Sequence, residues 1–405
     1  MPTAPTVVTT TRAQTNFSTN REKLDFAEGI ALLDPNENPF TLISMKMARG
    51  TSGNIKHSWL EDQLVPETDC LNNASNVSSS ATGLIVDNVT RFAIGDLVMH
   101  NQTRESMLVT SVGTNYIGVV RDYGSSEGWT ARAAQIDDND YLTKIGNAWE
   151  QGATLPTARS TVEVERYNYC QDQRTPFAMS EVAAAAAVHG EKDWPFQMRK
   201  AGIEHQRKLE YQNIWGMPYV GDKGIYASAT GNTAPQTAGG IWYYMNRYAD
   251  SARKVSQAEI TMAEFLSFIE AGFKYGSREK VMYCAPILRS ALDFWGISKL
   301  NTFSEQSLFG IDVAKWVSSH GTIFFVTHKM LEEPGSDGAF NFLLDMQNIK
   351  WVTYSDIGST RLRNLDPYAA TGETSKKAEY ETISCIEFKL PDTHAVLYGV
   401  TSYAA

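Results

Sequence analysis

Between Ser180 and Pro218 the chain carries two helix signals separated by a glycine, and the second is the longest helical stretch it can form. Ser180 can cap the first, with Glu181 at its positive end, Ala183 to Ala187 supplying the highest helix propensity, and Gly190 as the expected stop. Asp193 and Pro195 open the second and Gly216, Met217 and Pro218 close it, which predicts a helix over 194–216, about 22 residues or ~33 Å long. Its apolar positions are Phe196, Ile203, Ile214 and Trp215, whereas Arg199, Lys200, Glu204, Arg207, Lys208 and Glu210 make much of the surface charged. Glu204 and Lys208 form a favourable i,i+4 pair, which fits a solvated face. A helix this polar bridges packed regions or lies under a neighbouring subunit.

Around this strut there is chain for two or three domains, since 405 residues exceed one hydrophobic core. The net charge of −10, without a basic block, excludes a surface built to hold nucleic acid. Cys70, Cys170, Cys284 and Cys385 are far apart in sequence with no C-x-x-C, so reduced thiols are expected and zinc is not. No apolar run reaches a membrane span, and residues 1–20 are Thr-rich without an apolar signal core, so neither membrane insertion nor signal-driven secretion is expected. The sequons at Asn16, Asn73, Asn76, Asn88 and Asn101 therefore read as chance products of Asn- and Ser/Thr-rich loops.

Residues 1–20 lack any period and read as an extended or disordered arm. Leu24, Phe26, Ile30 and Leu33 fit a short helix, ended by the cluster Pro35, Asn36, Asn38, Pro39. A strand is expected from Asn54 to Leu60, and a second from Thr161 to Cys170, where Val162, Val164, Tyr167 and Tyr169 mark exposed alternation. Paired, the two make a long ribbon that is marginal alone and implies support from another subunit. Between them, strand signals at Gly83 to Val86, Leu97 to Asn101, Glu105 to Val112 and Tyr116 to Arg121 read as a compact β-domain over 81–151, at the spacing of a small barrel.

After a Gly- and Ala-rich passage from Gly221 to Gly240, the rest reads as α+β. Thr261 and Glu264 form a capping box for a helix stopped at Gly276, Val281 to Cys284 is a buried strand, and Pro286 opens a helix ending at Gly296. Mostly antiparallel strands follow at Val313 to Val317, Thr322 to Thr327, Phe340 to Leu344, Lys350 to Tyr354, Thr382 to Phe388 and His394 to Val400.

No nucleophile elbow, phosphate loop, dinucleotide fingerprint or H-E-x-x-H occurs, so no catalytic, cofactor-binding or metal residue is assigned and no enzyme is expected. The histidines His57, His100, His189, His205, His320, His328 and His394 are scattered, and His320 and His328 read as turn residues flanking the strand Ile323 to Val326. Asp137, Asp138 and Asp140 lack the glycine and distal glutamate of a calcium loop and read as a solvated turn. Gly239, Gly240, Trp242, Tyr243 and Tyr244 read as packing or contact residues, because nothing among them is reactive.

Arm, ribbon, charged strut and terminal α+β region, in that order, resemble the major capsid proteins of tailed bacteriophages, the Hong Kong 97 fold. Pro35 to Phe40, Lys56 to Leu64 with Trp59 and Asp62, Phe92 to Asp96, and Asn168 to Ser180 resemble a subfamily with a β-domain inserted in its extended loop. The resemblance implies an N-terminal arm (1–50), an extended loop (51–170) with its insertion (81–151), and a peripheral domain (171–235) with the spine helix 194–216. It further implies an axial domain (236–390) and a C-terminal strand (391–405) returning to the peripheral domain.

It implies a structural virion protein assembled in the host cytoplasm as pentamers and hexamers. The shell would enclose double-stranded DNA without sequence-specific binding, with a separate scaffolding protein, a portal, and decoration or minor capsid proteins as partners and no membrane. Some relatives crosslink a loop lysine; Lys56 is available, and no crosslink is expected. The competing readings are a phage tail or adhesin component, and a cytosolic enzyme with an unrecognised site.

Overall fold

Pro39 opens the first helix of the computed structural model, α1 (Pro39–Met47), because its fixed φ suits the first helical position and it brings no N–H that would need a partner. The structure describes residues 38–47, 49–124, 133–153, 159–186, 192–221, 234–296, 305–308, 311–332, 338–365 and 375–404. The expected arm and the Leu24 to Leu33 helix lie outside them, as does Gly190.

The chain divides into two compact units, one spanning Leu60–Glu165 and the other formed by the chain on either side of it. The Leu60–Glu165 unit holds a six-stranded antiparallel sheet in the order Thr68–Cys70, Tyr141–Asn147, Asp96–His100, Ser106–Val112, Tyr116–Val120, Gly83–Ile85. Four of these strands coincide with the sequence signals. Thr68–Cys70 and Tyr141–Asn147 were not legible, the first being too short to show alternation, so the sheet draws on chain before residue 81. Leu71, Leu84, Val98, Met107, Ile117 and Leu142 form its dry centre. Arg121 grips the buried Glu105 carboxylate with two N–H···O bonds of 2.6 Å, a paired buried charge rather than an orphaned one.

In the other unit Ser180 caps α2 (Glu181–Ala185) through its hydroxyl, which accepts from the Ala183 N–H. This helix ends at Ala186, where ψ turns to 142°, not at Gly190; alanine propensity alone does not sustain so short a helix without a packed face. The long helix α3 (Asp193–Trp215) runs between the expected stop signals, and Gly216 donates back to Gln212 O. The helix α4 (Ile241–Tyr248) follows the glycine pair Gly239 and Gly240; a Cβ on Gly240 would come within 2.7 Å of the Ile214 carbonyl, so only glycine lets α4 start against the end of α3. The Thr261/Glu264 capping box opens α5 (Met262–Gly272), which ends one turn before the expected stop at Gly276, and α6 (Pro286–Phe294) starts on Pro286.

Two sheets share this unit's core. In a five-stranded sheet, Arg49–Ser52, Ile349–Tyr354, Ser375–Phe388 and Gln171–Ser180 lie side by side, with Arg361–Leu365 also on Ser375–Phe388. A seven-stranded sheet runs Lys254–Ser256, Ala395–Val400, Ala339–Leu344, Glu279–Cys284, Thr322–Thr327, Ile311–Val317, Glu305–Leu308. Its pairing is mixed, because Glu279–Cys284 lies parallel to Thr322–Thr327 and Lys254–Ser256 parallel to Ala395–Val400.

One expectation is overturned here. The C-terminal strand does not return to the strands around the spine helix; Ala395–Val400 lies within the seven-stranded sheet, and Ser402–Tyr403 continues onto Glu259–Ile260. The strand that reaches back is Ser375–Phe388, ten residues of which pair with Gln171–Ser180. Both strands are central and need cover on both faces, Ala395–Leu397 and Ser384–Phe388 each being buried in a row; Ser375–Phe388 is long enough to reach Gln171–Ser180 as well, and along that stretch its Glu379 and Glu381 meet Arg363 and Arg361.

Candidate functional site

Asn168, in the strand Val164–Tyr169, is fully buried and every polar atom of its amide is used. Its Nδ2 donates to Gly239 O (3.0 Å) and Ile386 O (2.7 Å), and its Oδ1 accepts from the N–H groups of Gly239 (2.7 Å) and Tyr169 (2.8 Å). One side chain thus ties the ribbon strand to the loop before α4 and to the long strand Ser375–Phe388. Val164–Tyr169 pairs with Lys56–Glu61 as a separate two-stranded sheet, which is the ribbon the alternation called for.

The facing strand is anchored beside it. Trp59 is buried with its ring 5.9 Å from that of Tyr244, whose hydroxyl donates to Tyr167 O at 2.9 Å and whose ring stacks on Phe388. His57 Nε2 lies 2.7 Å from Glu387 Oε2, and Lys389 and Lys350 reach the other oxygen at 2.8 and 3.6 Å. The Arg166 guanidinium covers the Tyr248 ring at 3.9 Å and Lys56 Nζ stands 4.5 Å over Tyr167. Gly239, Gly240 and Tyr244 are therefore packing residues, as their chemistry implied. Beyond this rooted base the ribbon and its flanks turn apolar side chains to solvent: Leu60 is 66 % exposed, Leu64 92 % and Val162 81 %.

Glu204 and Lys208 lie exposed on the strut helix as read, but a second buried assembly takes Glu210 out of its charged surface. Glu210 is wholly buried, and its carboxylate accepts from the N–H of Phe40 (2.9 Å) and Thr41 (2.8 Å), from the Thr41 hydroxyl, and lies 2.7 Å from His328 Nε2. It acts as the N-cap of α1 supplied from another helix, satisfying donors that the first turn leaves open. His328 is accordingly buried on Glu210 and is not a simple turn residue, whereas exposed His320 sits in the Ser318 to Gly321 turn.

The Asp137, Asp138 and Asp140 cluster is also more committed than a solvated turn. Asp140 lies 3.0 Å from the buried His100 ring, Asp138 accepts from Asn73 N at 2.9 Å and Asp137 from Asn76 Nδ2 at 2.8 Å. Among the described residues no group of His, Cys, Asp or Glu is arranged to hold a metal ion, and no helix is long and apolar enough to cross a membrane. All four cysteines are free thiols.

Two further imidazoles are buried neutral. His394 accepts from Asp345 N at Nδ1 (3.0 Å) and faces Lys389 O through Nε2 (3.2 Å), a set that leaves no room for a second ring proton. Burial, with Lys280 adding repulsion, lowers its pKa to about 3 from 6.5. Burial and Lys208 lower that of His205, set between the Thr175 and Thr382 hydroxyls, to about 4. Burial works against the Glu387 charge, but hydrogen bonds from His57 and Lys389 and the nearby Lys350 bring its carboxyl down to about 2.

All three shifts act in one direction. As pH falls below 6.5 the unfolded chain protonates its histidines while the folded chain does not, and stability drops until the folded-state values near 4 and 3 are passed. Glu387 contributes stability above 4.5 that is lost towards 2. The urea midpoint should therefore fall steadily as pH falls from 6.5 to 4, and His394→Gln, which can still accept and donate, should flatten that slope. A slope unchanged by His394→Gln would assign the acid sensitivity elsewhere.

A family model described as SU10 major capsid protein matches residues 8–401. The major capsid protein of Pseudomonas phage PaMx41 is 24% identical over 303 residues, which cover 72% of this chain and 69% of that one. Among solved structures, the capsid of a native GTA particle matches with a TM-score of 0.44 at 9% identity over 96% of this chain and 97% of that one. The holo-SrpI encapsulin complex from Synechococcus elongatus PCC 7942 matches with a TM-score of 0.43 at 11% identity over 60% of this chain and 80% of that one.

Proposed function

The chain belongs to the SU10 major capsid protein family, a structural component of the phage virion and not an enzyme, and from that premise we propose that it closes an icosahedral shell as pentamers and hexamers of the Hong Kong 97 type. The observation that carries this reading is the ribbon. Its base is fixed by Asn168, Trp59 and the His57–Glu387 pair, while Leu60, Leu64 and Val162 remain in water. A two-stranded ribbon is marginal alone and apolar residues so exposed are costly in a monomer, so cover by a neighbouring copy in a repeating head-to-tail contact explains both. The competing tail, adhesin and enzyme readings lack a comparable observation.

In this reading the β-domain over 81–151 is the insertion in the extended loop and faces outwards, since a domain at a loop tip has room only on the outer surface. The shell encloses double-stranded DNA, and the net charge of −10 keeps its wall from binding the phosphates. Assembly takes place in the host cytoplasm with a separate scaffolding protein, a portal and decoration or minor capsid proteins.

Electron microscopy with sedimentation of the chain, expressed alone and with its neighbouring viral genes, tests the proposal. Closed shells or five- and six-membered rings are expected, and a small fixed oligomer in both conditions would overturn it. Joint replacement of Leu60, Leu64 and Val162 by serine should abolish shells while leaving the unfolding midpoint in place, because these side chains are already solvated in the single chain. Shells formed by that variant at wild-type yield would remove the ribbon from the contact.

A further inference from the structure

Cys170 and Cys385 lie 215 residues apart in sequence, yet their Sγ atoms are 3.5 Å apart. The register places them face to face: Gln171 is opposite Ser384, so the preceding residue of one strand meets the following residue of the other. Cys170 gives its N–H to Ile55 O at 2.8 Å, so it does not exchange a backbone bond with Cys385. Directly opposed antiparallel residues without that exchange have Cα atoms about 4.5 Å apart. That separation falls within the ~4.4–6.8 Å span of disulfides.

We propose that Cys170 and Cys385 are an intrachain disulfide site, closed when the particle leaves the reducing cytoplasm and locking the base of the ribbon to the long strand Ser375–Phe388. The timing rests on the capsid reading, since a virion is made in a reducing compartment and persists in an oxidising one. The co-reactant is a small peroxide. The Cys170 thiolate attacks one peroxide oxygen, forming a sulfenic acid and expelling hydroxide; Cys385 then attacks the Cys170 sulfur, the S–S bond forms, and the sulfenic oxygen leaves with the Cys385 proton. Two thiols and one peroxide yield one disulfide and two waters.

The other cysteines are poorer candidates. Cys70 has its thiol pushed up by burial and by Asp87 and Asp69, and burial holds Cys284 at about 12, whereas the hydrogen bond from Cys385 keeps Cys170 below its ordinary value against the pull of burial. The strand partner and the resolving thiol are one residue. Asn168 and Tyr169 directly precede the site, so the bond would act on the root that positions the ribbon.

The test treats the full chain with hydrogen peroxide, blocks remaining thiols under denaturing conditions, and maps peptides by mass spectrometry. A Cys170–Cys385 crosslinked pair lighter by two hydrogens, with Cys70 and Cys284 blocked as free thiols, is expected, together with a rise in melting temperature that added reductant reverses. Cys385→Ala should abolish the crosslink and the rise. Recovery of both cysteines as free thiols, or as higher oxides, at a dose that oxidises exposed methionines would overturn the proposal. Shells seen by microscopy without the crosslink would count against this inference alone, and the crosslink without shells against the capsid reading alone.

Discussion

Replacing Glu210 by alanine should destabilise the chain by about 3–5 kcal/mol, the cost of removing one partner from a buried, charge-assisted network. The carboxylate holds the N–H groups of Phe40 and Thr41, the Thr41 hydroxyl and the His328 ring, all of them buried and left without this acceptor when it is gone. Phe40 and Ile43 belong to the main core, so loosening the start of α1 also loosens apolar packing. Glu210→Gln keeps the shape and one acceptor oxygen and should lose about 1–3 kcal/mol. Guanidinium unfolding reads both: a lower midpoint at unchanged slope is expected, and an alanine variant within about 1 kcal/mol of the parent would show that α1 is not held through this carboxylate.

Asn168→Ala should cost about 3 kcal/mol or more, since four backbone groups, three of them in buried bonds, lose their partner at once and each buried orphan is worth roughly 1–3 kcal/mol. Asn168→Asp tests the geometry more sharply. It keeps the acceptor for Gly239 N and Tyr169 N but turns a carboxylate oxygen towards two carbonyls, Gly239 O and Ile386 O, so it should fold less well than the alanine variant. The readouts are the unfolding midpoint and the yield of shells. If the alanine variant unfolds as the parent does, the root of the ribbon lies in Trp59, Tyr244 and the His57–Glu387 pair instead.

Local signals carried a good part of this architecture. The spine helix was bounded by Asp193 and Gly216 because capping and stop chemistry act within a few residues, and the Thr261/Glu264 box and Pro286 opened their helices for the same reason. The second ribbon strand was readable from alternation, since a half-exposed strand writes its two faces into every second residue. The candidate site was less legible. Asn168 looks like any polar residue between tyrosines, and Glu210 sits among Arg207 and Lys208, a setting indistinguishable from a solvated helix face.

The amino-acid sequence by itself determined the order of elements, the ends of α3, α5 and α6 to within one turn, and the alternating pattern of the second ribbon strand, because each depends on backbone preferences and side-chain periods that act over a few residues. Only the tertiary structure decided that Glu210 caps a helix about 170 residues earlier in the chain, that Cys170 faces Cys385, and that Ser375–Phe388 rather than Ala395–Val400 returns to Gln171–Ser180. Those outcomes hang on which distant groups share a dry interior, where an unpaired carboxylate or amide costs several kcal/mol and must find a partner wherever the chain brings one.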